Sequence, residues 1–287
     1  MCGRPSLPRR SAVPNYALHA CPACHLEFLD PQPDDAVLAA IYDDHYFLGE
    51  STEAAARRSQ MKAATGALYI DVLARLGRPE NAHLLEVGCG HGEVLLEARS
   101  RGFRVSGVEI SAHATAIANR RLGDAAVSVG LIETLPLPHA HFSAVLAADV
   151  IEHVRDPEAW LLRIRELLIP DGVLLLITPS LDSWSRRLLR SRWMEYKIEH
   201  LHYFSAASIR LLLERCGFHQ IQVSPARKVL TFDYVARHFD RFRVPVLSPL
   251  ITLSRRAVPA AIAHRHVLVS AGGLMATARK SESPQLI

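Results

Sequence analysis

Short apolar segments alternate with longer segments of helical periodicity through most of the chain. Seven segments carry the compact apolar runs typical of strands in a buried sheet. They are residues 84–87, 104–108, 126–129, 143–147, 173–177, 220–224 and 274–279. Five segments with the spacing of amphipathic helices are residues 61–76, 93–101, 112–121, 157–168 and 206–216. This alternation predicts an α/β fold with an open, mostly parallel sheet and helices on both faces.

The two ends of the chain differ in composition from the middle. Residues 1–60 hold six prolines, which predicts an irregular lead-in. Residues 61–226 form the predicted core. Residues 227–287 are interpreted as a basic amphipathic insert followed by a final strand and a polar tail.

Composition narrows the class of protein. With 49% apolar and 22% charged residues, the chain is an ordinary globular protein. It has no uninterrupted apolar run of the ~18–20 residues that a membrane-spanning helix needs, and no apolar secretory stretch at the N-terminus, so a cytoplasmic location is expected. The formal net charge of +4 does not indicate a specific nucleic-acid partner.

The positive charge is concentrated in two segments. Residues 186–197 hold five basic residues and one acid, and residues 227–265 hold eight basic residues and two acids. Each segment is either a solvated face or a surface for an anionic substrate or anionic lipid headgroups. Within residues 227–266, apolar residues such as Phe239 and Leu247 are interspersed with arginines. This insert is expected to cover the active site or, alternatively, to dock on a membrane that holds the substrate.

A glycine-rich loop follows the first core strand. Glu86 ends the apolar run, and glycines stand at positions 88, 90 and 92, directly before a helix. Glycines permit positive φ and let backbone N–H groups approach a ligand at the helix N-terminus. The third glycine comes one position too early for a dinucleotide fingerprint, and an acid is unfavourable beside a pyrophosphate. Glu109, at the end of the next strand, is placed to accept the hydroxyls of a ribose.

Further motifs follow in order: Glu133–Pro138, Asp149–Val154 with Asp156-Pro157, Ile169–Gly172, Thr178-Pro179, Glu199–Ser205 and Cys216–Phe218. With the glycine loop and Glu109, this series resembles the class I S-adenosylmethionine-dependent methyltransferases, in their ubiquinone-biosynthesis-like and type 11/12/23 branch. The resemblance covers about residues 42–218. It implies a Rossmann-like sheet of seven strands.

The resemblance also implies the cofactor, S-adenosyl-L-methionine, and the residues that hold it. Backbone of the glycine loop would hold the methionyl part, Glu86 would face its ammonium group, Glu109 would bind the ribose, and Ile110 would pack on the adenine. Leu131 stands where the family often has an adenine-binding acid, so the backbone of Ile132 or Glu133 is expected there instead. The full cofactor-binding set is Glu86, Gly88, Cys89, Gly90, Gly92, Glu109, Ile110, Ile132, Glu133 and Asp149.

Histidines near the same sheet edge are the candidate catalytic residues. A hydroxyl acceptor must lose a proton during methyl transfer, and the ordinary pKa of histidine suits that task. His153 follows the fourth strand, while His200 and His202 lie in the loop after the fifth. His153 and His200 are the predicted catalytic pair.

A divalent cation is the alternative use of these residues. On a helical turn, Asp149, Glu152 and His153 share one face, and His200 would be a fourth ligand. Some members of the resembled family bind a cation through a similar turn. Such a cation would lower the pKa of an acceptor hydroxyl.

Cys21 and Cys24 have the spacing of half a zinc ribbon. Related methyltransferases carry such a ribbon before the catalytic domain. Cys2 would be the remnant of a first pair, through a late start site or loss of the leading cysteine, and His25 is a further possible ligand.

The predicted activity is methyl transfer from S-adenosylmethionine to oxygen of a small metabolite, a sugar or a glycan- or lipid-linked acceptor. Transfer to nitrogen or carbon stays open. A nicotinamide-dependent (NAD(P)) oxidoreductase and a non-catalytic, cofactor-binding partner protein are the alternatives. The acceptor, the metal dependence and the oligomeric state do not follow from the sequence.

Overall fold

The computed structural model describes residues 4–9, 13–41, 52–77, 81–241, 247–270 and 272–281. The strands are β1 (Leu7–Arg9), β2 (Leu18–Ala20), β3 (Glu27–Leu29), β4 (His83–Val87), β5 (Arg104–Glu109), β6 (Val127–Val129), β7 (Phe142–Ala148), β8 (Leu168–Pro179), β9 (His202–Tyr203), β10 (Phe218–Pro225), β11 (Lys228–Leu230), β12 (Val267–Val269) and β13 (Gly273–Lys280). The helices are α1 (Asp35–Ile41), α2 (Thr52–Arg75), α3 (Glu93–Ser100), α4 (Ala112–Leu122), α5 (Pro157–Leu167), α6 (Trp184–Leu189), α7 (Ala206–Arg215), α8 (Phe232–Arg241), α9 (Leu247–Ala257) and α10 (Ala260–Ala263).

The main sheet has seven strands in the order β10-β13-β8-β7-β4-β5-β6. From β8 to β6 all neighbours are parallel, whereas β13 runs antiparallel to both β8 and β10. The predicted fold class and all seven predicted strands are therefore confirmed. Because parallel strands end at the same edge, the residues after β4, β5 and β7 meet along one side of the sheet.

The core lies on both faces of this sheet. Leu84 and Leu175 pack with Ile70 of α2 on one face. Their chain neighbours Leu85 and Leu174 point to the opposite face and pack with the helix α5. This two-residue alternation explains why the central strands are apolar throughout.

For four of the five predicted helices, the first and the last residue both lie within one residue of the prediction. The fifth helix, α2, begins at Thr52 instead of residue 61. The first two turns of α2 read Thr-Glu-Ala-Ala-Ala-Arg-Arg-Ser, with good helix formers but little apolar periodicity. The missing periodicity is the physical reason why the sequence pattern placed the start too late.

The N-terminal region is not irregular throughout, which corrects the prediction for residues 1–60. Strands β1, β2 and β3 join β9 in a four-stranded antiparallel sheet. Phe28 of β3 pairs with His202 of β9, and Leu29 N–H donates to Leu201 O at 3.0 Å. The prolines fall outside regular elements or on the edge strand β1, where a missing N–H is tolerated. This small sheet supports the loop that carries His200.

The predicted insert forms a two-stranded ribbon, β11 and β12, with helices α8 to α10 between its strands. The guanidinium of Arg255 on α9 contacts Asp233 of α8 at 3.1 Å, which joins the two helices. Residues 242–246 of the insert and 282–287 of the tail lie outside the described residues. Within the described ranges, no helix is both long enough and apolar enough to cross a bilayer.

Candidate functional site

The glycine loop between β4 and α3 is held by backbone hydrogen bonds. Gly88 N–H donates to Val108 O at 2.8 Å, which ties the loop to the end of β5. Gly88, Gly90 and Gly92 have φ of 71°, 53° and 78°, which is the left-handed region. A Cβ on Gly88 would lie 2.6 Å from Val150 Cγ2, so close approach also requires glycine there. The loop therefore presents bare backbone at the ligand-binding edge of the sheet.

Glu109 orders this loop from the end of β5. Its Oε2 accepts the Gly90 N–H at 2.8 Å, and its Oε1 accepts the Ser111 N–H at 2.9 Å. A carboxylate oxygen has two lone pairs, so each oxygen keeps one for a further donor. Glu109 thus fits a ligand that brings two hydroxyls, such as a ribose.

Glu86 is buried on β4 directly before the loop. Among the described residues, nothing hydrogen-bonds its Oε2. Burial, together with the nearby Glu93 and Glu109, raises the pKa of this carboxyl. Lys62 acts in the opposite direction but does not outweigh the burial. A buried carboxyl oxygen without a hydrogen bond is unfavourable unless a donor or cation joins it. The position therefore fits the ammonium group of an amino-acid ligand and disfavours a pyrophosphate.

The remaining predicted cofactor residues divide into exposed and buried side chains. Ile110 is 58% exposed although it is apolar, and Glu133 is also exposed. Cys89 and Ile132 are buried. The Cys89 side chain packs among Leu95 and neighbouring apolar residues, so only its backbone is placed to face a ligand.

Asp149 follows β7 with a φ of 56° and forms an ion pair with Lys228, whose Nζ lies 2.5 Å from Asp149 Oδ2. Partial desolvation raises the pKa of Asp149, whose side chain is 46% exposed. The combined effect of Lys228, Lys197 and His153 outweighs the desolvation, and the net shift of this pKa is downward. The hydroxyl of Tyr69 on α2 is buried, and the described part of the chain offers it no hydrogen-bond partner. Its pKa is raised by burial and responds to both Lys228 and Asp149. Neither Lys228 nor Tyr69 was predicted as a site residue.

Glu152, His153 and His200 form a cluster at the same edge. One ligand atom from each lies within 4.8 Å of the other two, and the two imidazole centroids are 4.7 Å apart. The pair predicted as catalytic is therefore brought together. Asp149 does not join them, because its carboxylate is held by Lys228. Asp149 as a metal ligand therefore stays a prediction.

Hydrogen bonds define the chemistry of this cluster. The Nδ1–H of His153 donates to the carbonyl oxygen of Glu199 at 2.9 Å, so Nε2 is the unprotonated nitrogen of the neutral ring. Glu152 Oε2 accepts from the Thr178 hydroxyl at 2.9 Å. The described residues provide no hydrogen bond to Glu152 Oε1 or His200 Nδ1, although both atoms are buried.

Burial lowers the pKa values of His153 and His200, so both rings are neutral near pH 7. Burial and the neighbouring Asp149 raise the pKa of Glu152 to about 8. Two neutral imidazoles beside a buried carboxyl can either take a proton from an acceptor or bind a divalent cation.

His202 does not face this cluster. It is buried on β9 and stacks on Phe204 at a centroid distance of 6.2 Å. Cys21 and Cys24 are buried in the turn between β2 and β3, and Cys2 lies outside the described residues. Zinc binding by these cysteines stays a prediction.

Comparisons with known proteins identify a methyltransferase domain. Residues 58–223 match a family model described as a methyltransferase domain. An O-methyltransferase of Pyrenophora dematioidea is 28% identical over 53% of this chain and 63% of its own length. The ubiquinone biosynthesis O-methyltransferase of Rhodopseudomonas palustris is 34% identical over 42% of this chain and 49% of its own. The chain thus spans 49% and 63% of the lengths of these curated relatives, less than two thirds of either.

Solved structures share the fold at low identity. The YcgJ protein of Bacillus subtilis matches with a TM-score of 0.53 and 16% identity, over 77% of this chain and 99% of its own. A possible histamine N-methyltransferase of Thermotoga maritima matches with a TM-score of 0.52 and 19% identity, over 78% and 91%. Since the family model spans more than half of the residues, the chain belongs to this methyltransferase-domain family, and its seven-stranded sheet has the class I methyltransferase fold.

Proposed function

We propose that this protein transfers a methyl group from S-adenosylmethionine to an oxygen atom of a small metabolite, a sugar or a lipid-linked acceptor. The observation that carries the proposal is the cluster of Glu152, His153 and His200 at the edge where the glycine loop ends β4. The names of the relatives from Pyrenophora dematioidea and Rhodopseudomonas palustris, both O-methyltransferases, support oxygen as the acceptor atom.

In this proposal, different residues of the chain contact different parts of the cofactor. Glu86 pairs with the ammonium group, Glu109 accepts the ribose hydroxyls, and Ile110 covers the adenine. Bare backbone at Gly90 permits close approach. When bound, S-adenosylmethionine supplies an electrophilic methyl group on a sulfonium centre.

His153 is the residue that takes the acceptor proton. Its Nδ1–H is committed to Glu199 O, so Nε2 is the atom that accepts. The lowered pKa keeps the ring neutral and able to act as a base near pH 7.

We propose a divalent cation, held by Glu152, His153 and His200, as the alternative use of the same cluster. In that case His153 Nε2 is a metal ligand and does not itself take the acceptor proton. Two of the three donors present buried atoms that the described residues leave without a hydrogen bond, which is costly in an empty polar site. When bound, the cation supplies Lewis acidity that lowers the pKa of an acceptor hydroxyl.

The activity is tested by S-adenosylhomocysteine production with panels of phenols, catechols, sugars and lipid-linked hydroxyls. His153→Asn should lower kcat at least ~100-fold while S-adenosylmethionine affinity changes less than about twofold. His113→Asn, on the exposed surface of α4, is the matched control. Full turnover by His153→Asn, or methylation at nitrogen or carbon only, would contradict the proposed chemistry.

The cation is tested by metal analysis of the purified protein and by titration calorimetry with Mg²⁺, Mn²⁺ and Zn²⁺ after chelation. One ion per chain that is lost in Glu152→Gln is the expected result. If no ion binds and chelator leaves turnover unchanged, the cation is rejected and His153 acts alone as the base.

A further inference from the structure

Helix α6 presents apolar side chains to solvent. Trp184 and Leu188 are each 63% exposed, and their spacing of four residues places them on one side of the helix. Single exposed apolar residues are common, but a tryptophan and a leucine together on one face are a recurrent sign of a docking surface.

A second apolar segment lies in the insert. The exposed fraction is 60% for Ile262 of α10, 50% for Val267 of β12 and 48% for Leu268, the next residue of β12. Successive strand residues point to opposite faces, so neither face of the β11–β12 ribbon is fully covered at this point. The ribbon therefore projects apolar area on both sides.

The two segments are adjacent. Trp184 Nε1 donates to the carbonyl of Ser270, directly after β12, at 3.3 Å. A Cβ on Gly272 would lie 2.6 Å from the Ser185 hydroxyl, so the backbone there presses against α6. We call Trp184, Leu188, Ile262, Val267 and Leu268 the α6–β12 surface.

Basic side chains lie in both segments of this surface. The acids that flank the first segment are engaged elsewhere, because Asp182 accepts the Ala206 N–H and Glu195 pairs with Lys197. Arg187, Arg190 and Arg265 are exposed and adjoin the apolar residues in the chain. Neither residues 183–194 nor residues 257–273 contain an aspartate or a glutamate. Exposed apolar side chains combined with arginines, without acids in either segment, are complementary to an anionic lipid surface.

We propose that the α6–β12 surface binds peripherally to an anionic lipid bilayer. Trp184, Leu188 and the ribbon tip enter the interfacial region, where tryptophan is favoured, and the arginines contact the headgroups. The inference does not depend on the proposed methyl transfer, because membrane binding has its own readout.

The test is flotation of the full chain with phosphatidylcholine vesicles, with and without 30 mol% phosphatidylglycerol. Binding is expected only with phosphatidylglycerol and should fall in 0.5 M NaCl, because salt screens exposed charges. The double variant Trp184→Ser with Leu188→Ser should lower partitioning by about tenfold or more. Arg187→Gln and Arg190→Gln should each lower it about fivefold.

Leu162→Ser is the matched control, since this leucine is 44% exposed on α5. It should bind vesicles like the unchanged chain, and thermal unfolding should show that all variants are folded. Absence of binding to anionic vesicles, or equal loss in the Leu162 variant, would overturn the proposal. If light scattering shows a dimer that only the Trp184 and Leu188 changes dissociate, with no vesicle binding, the surface joins two copies instead.

Discussion

Glu86→Gln tests the role of the buried acid before the glycine loop. The change keeps the shape of the side chain and removes its ability to ionise. Glu86 is 4% exposed, and in the described structure its Oε2 lacks a hydrogen-bond partner. A ligand that brings an ammonium group would supply that partner, so the variant should lose one charge-assisted contact.

The size of the loss follows from the burial. Hydrogen bonds to charged groups contribute about 1.5–3 kcal/mol, which corresponds to a roughly 10- to 150-fold weaker affinity. The cofactor-free protein should respond in the opposite direction. The folded-state pKa of Glu86 is raised above its usual 4.5, so this group's contribution to stability is present below pH 4.5 and is lost as pH rises. Glu86→Gln should therefore gain stability relative to the unchanged chain between pH 4.5 and 7.

The assay is titration calorimetry with three ligands, paired with urea unfolding at several pH values. S-adenosylmethionine and S-adenosylhomocysteine both carry the ammonium group and should lose affinity equally. 5′-Methylthioadenosine lacks it and should bind the variant and the unchanged chain alike. Equal weakening for all three ligands, or unchanged binding of S-adenosylmethionine, would refute the assignment of Glu86 to the ammonium group.

Three further predictions concern the loop, the core and the small sheet. Gly90→Ala and Gly123→Ala should each lower the unfolding free energy by about 1 kcal/mol, because both have positive φ, but only Gly90→Ala should weaken S-adenosylmethionine binding in calorimetry. Gly107→Ala should destabilise by about 1–3 kcal/mol in urea, since its Cβ would lie 2.8 Å from Cys89 Sγ; unchanged stability would contradict this packing. The pKa of His202 is lowered by burial to about 4, so its contribution to stability is present above pH 6.5 and is lost as pH falls to 4. His202→Gln should flatten that part of the stability profile measured by urea unfolding, and an unaltered profile would show that the ring does not titrate as expected.

The sheet was predictable because local pattern and tertiary burial agree along it. Leu174 and Leu175 point to opposite faces, and both are buried, so their apolar run already encodes a central strand. The glycine loop was predictable for a similar reason, since its positive φ values allow few other residues.

The ion pair between Asp149 and Lys228 was not predictable in this way. The partners are 79 residues apart, and nothing in the periodicity of β11 distinguishes Lys228 from the other basic residues of the insert. The start of α2 and the pairing of β3 with β9 were missed because polar helix turns and three-residue strands carry almost no periodic signal.

The N-terminal strands also change the meaning of the segment before the core. Glu27 of β3 is buried and accepts from the hydroxyl of Tyr196 at 2.7 Å and from Arg186 at 2.8 Å. These contacts hold Arg186 and Tyr196, which precede His200 in the chain, against β3. A segment interpreted as a lead-in is therefore a support for the candidate catalytic loop.

The position of β13 has a consequence for the order of folding. This strand lies between β8 and β10, so neither neighbour is fully paired until residues 273–280 have been synthesised. Its pairing with β8 joins segments about one hundred residues apart, a non-local contact that is slow to form. During synthesis on the ribosome, the earlier strands would keep an unpaired apolar edge until β13 emerges. Chains with such an exposed edge are prone to aggregate or to bind chaperones. Closure of the main sheet thus follows the synthesis of its six other strands.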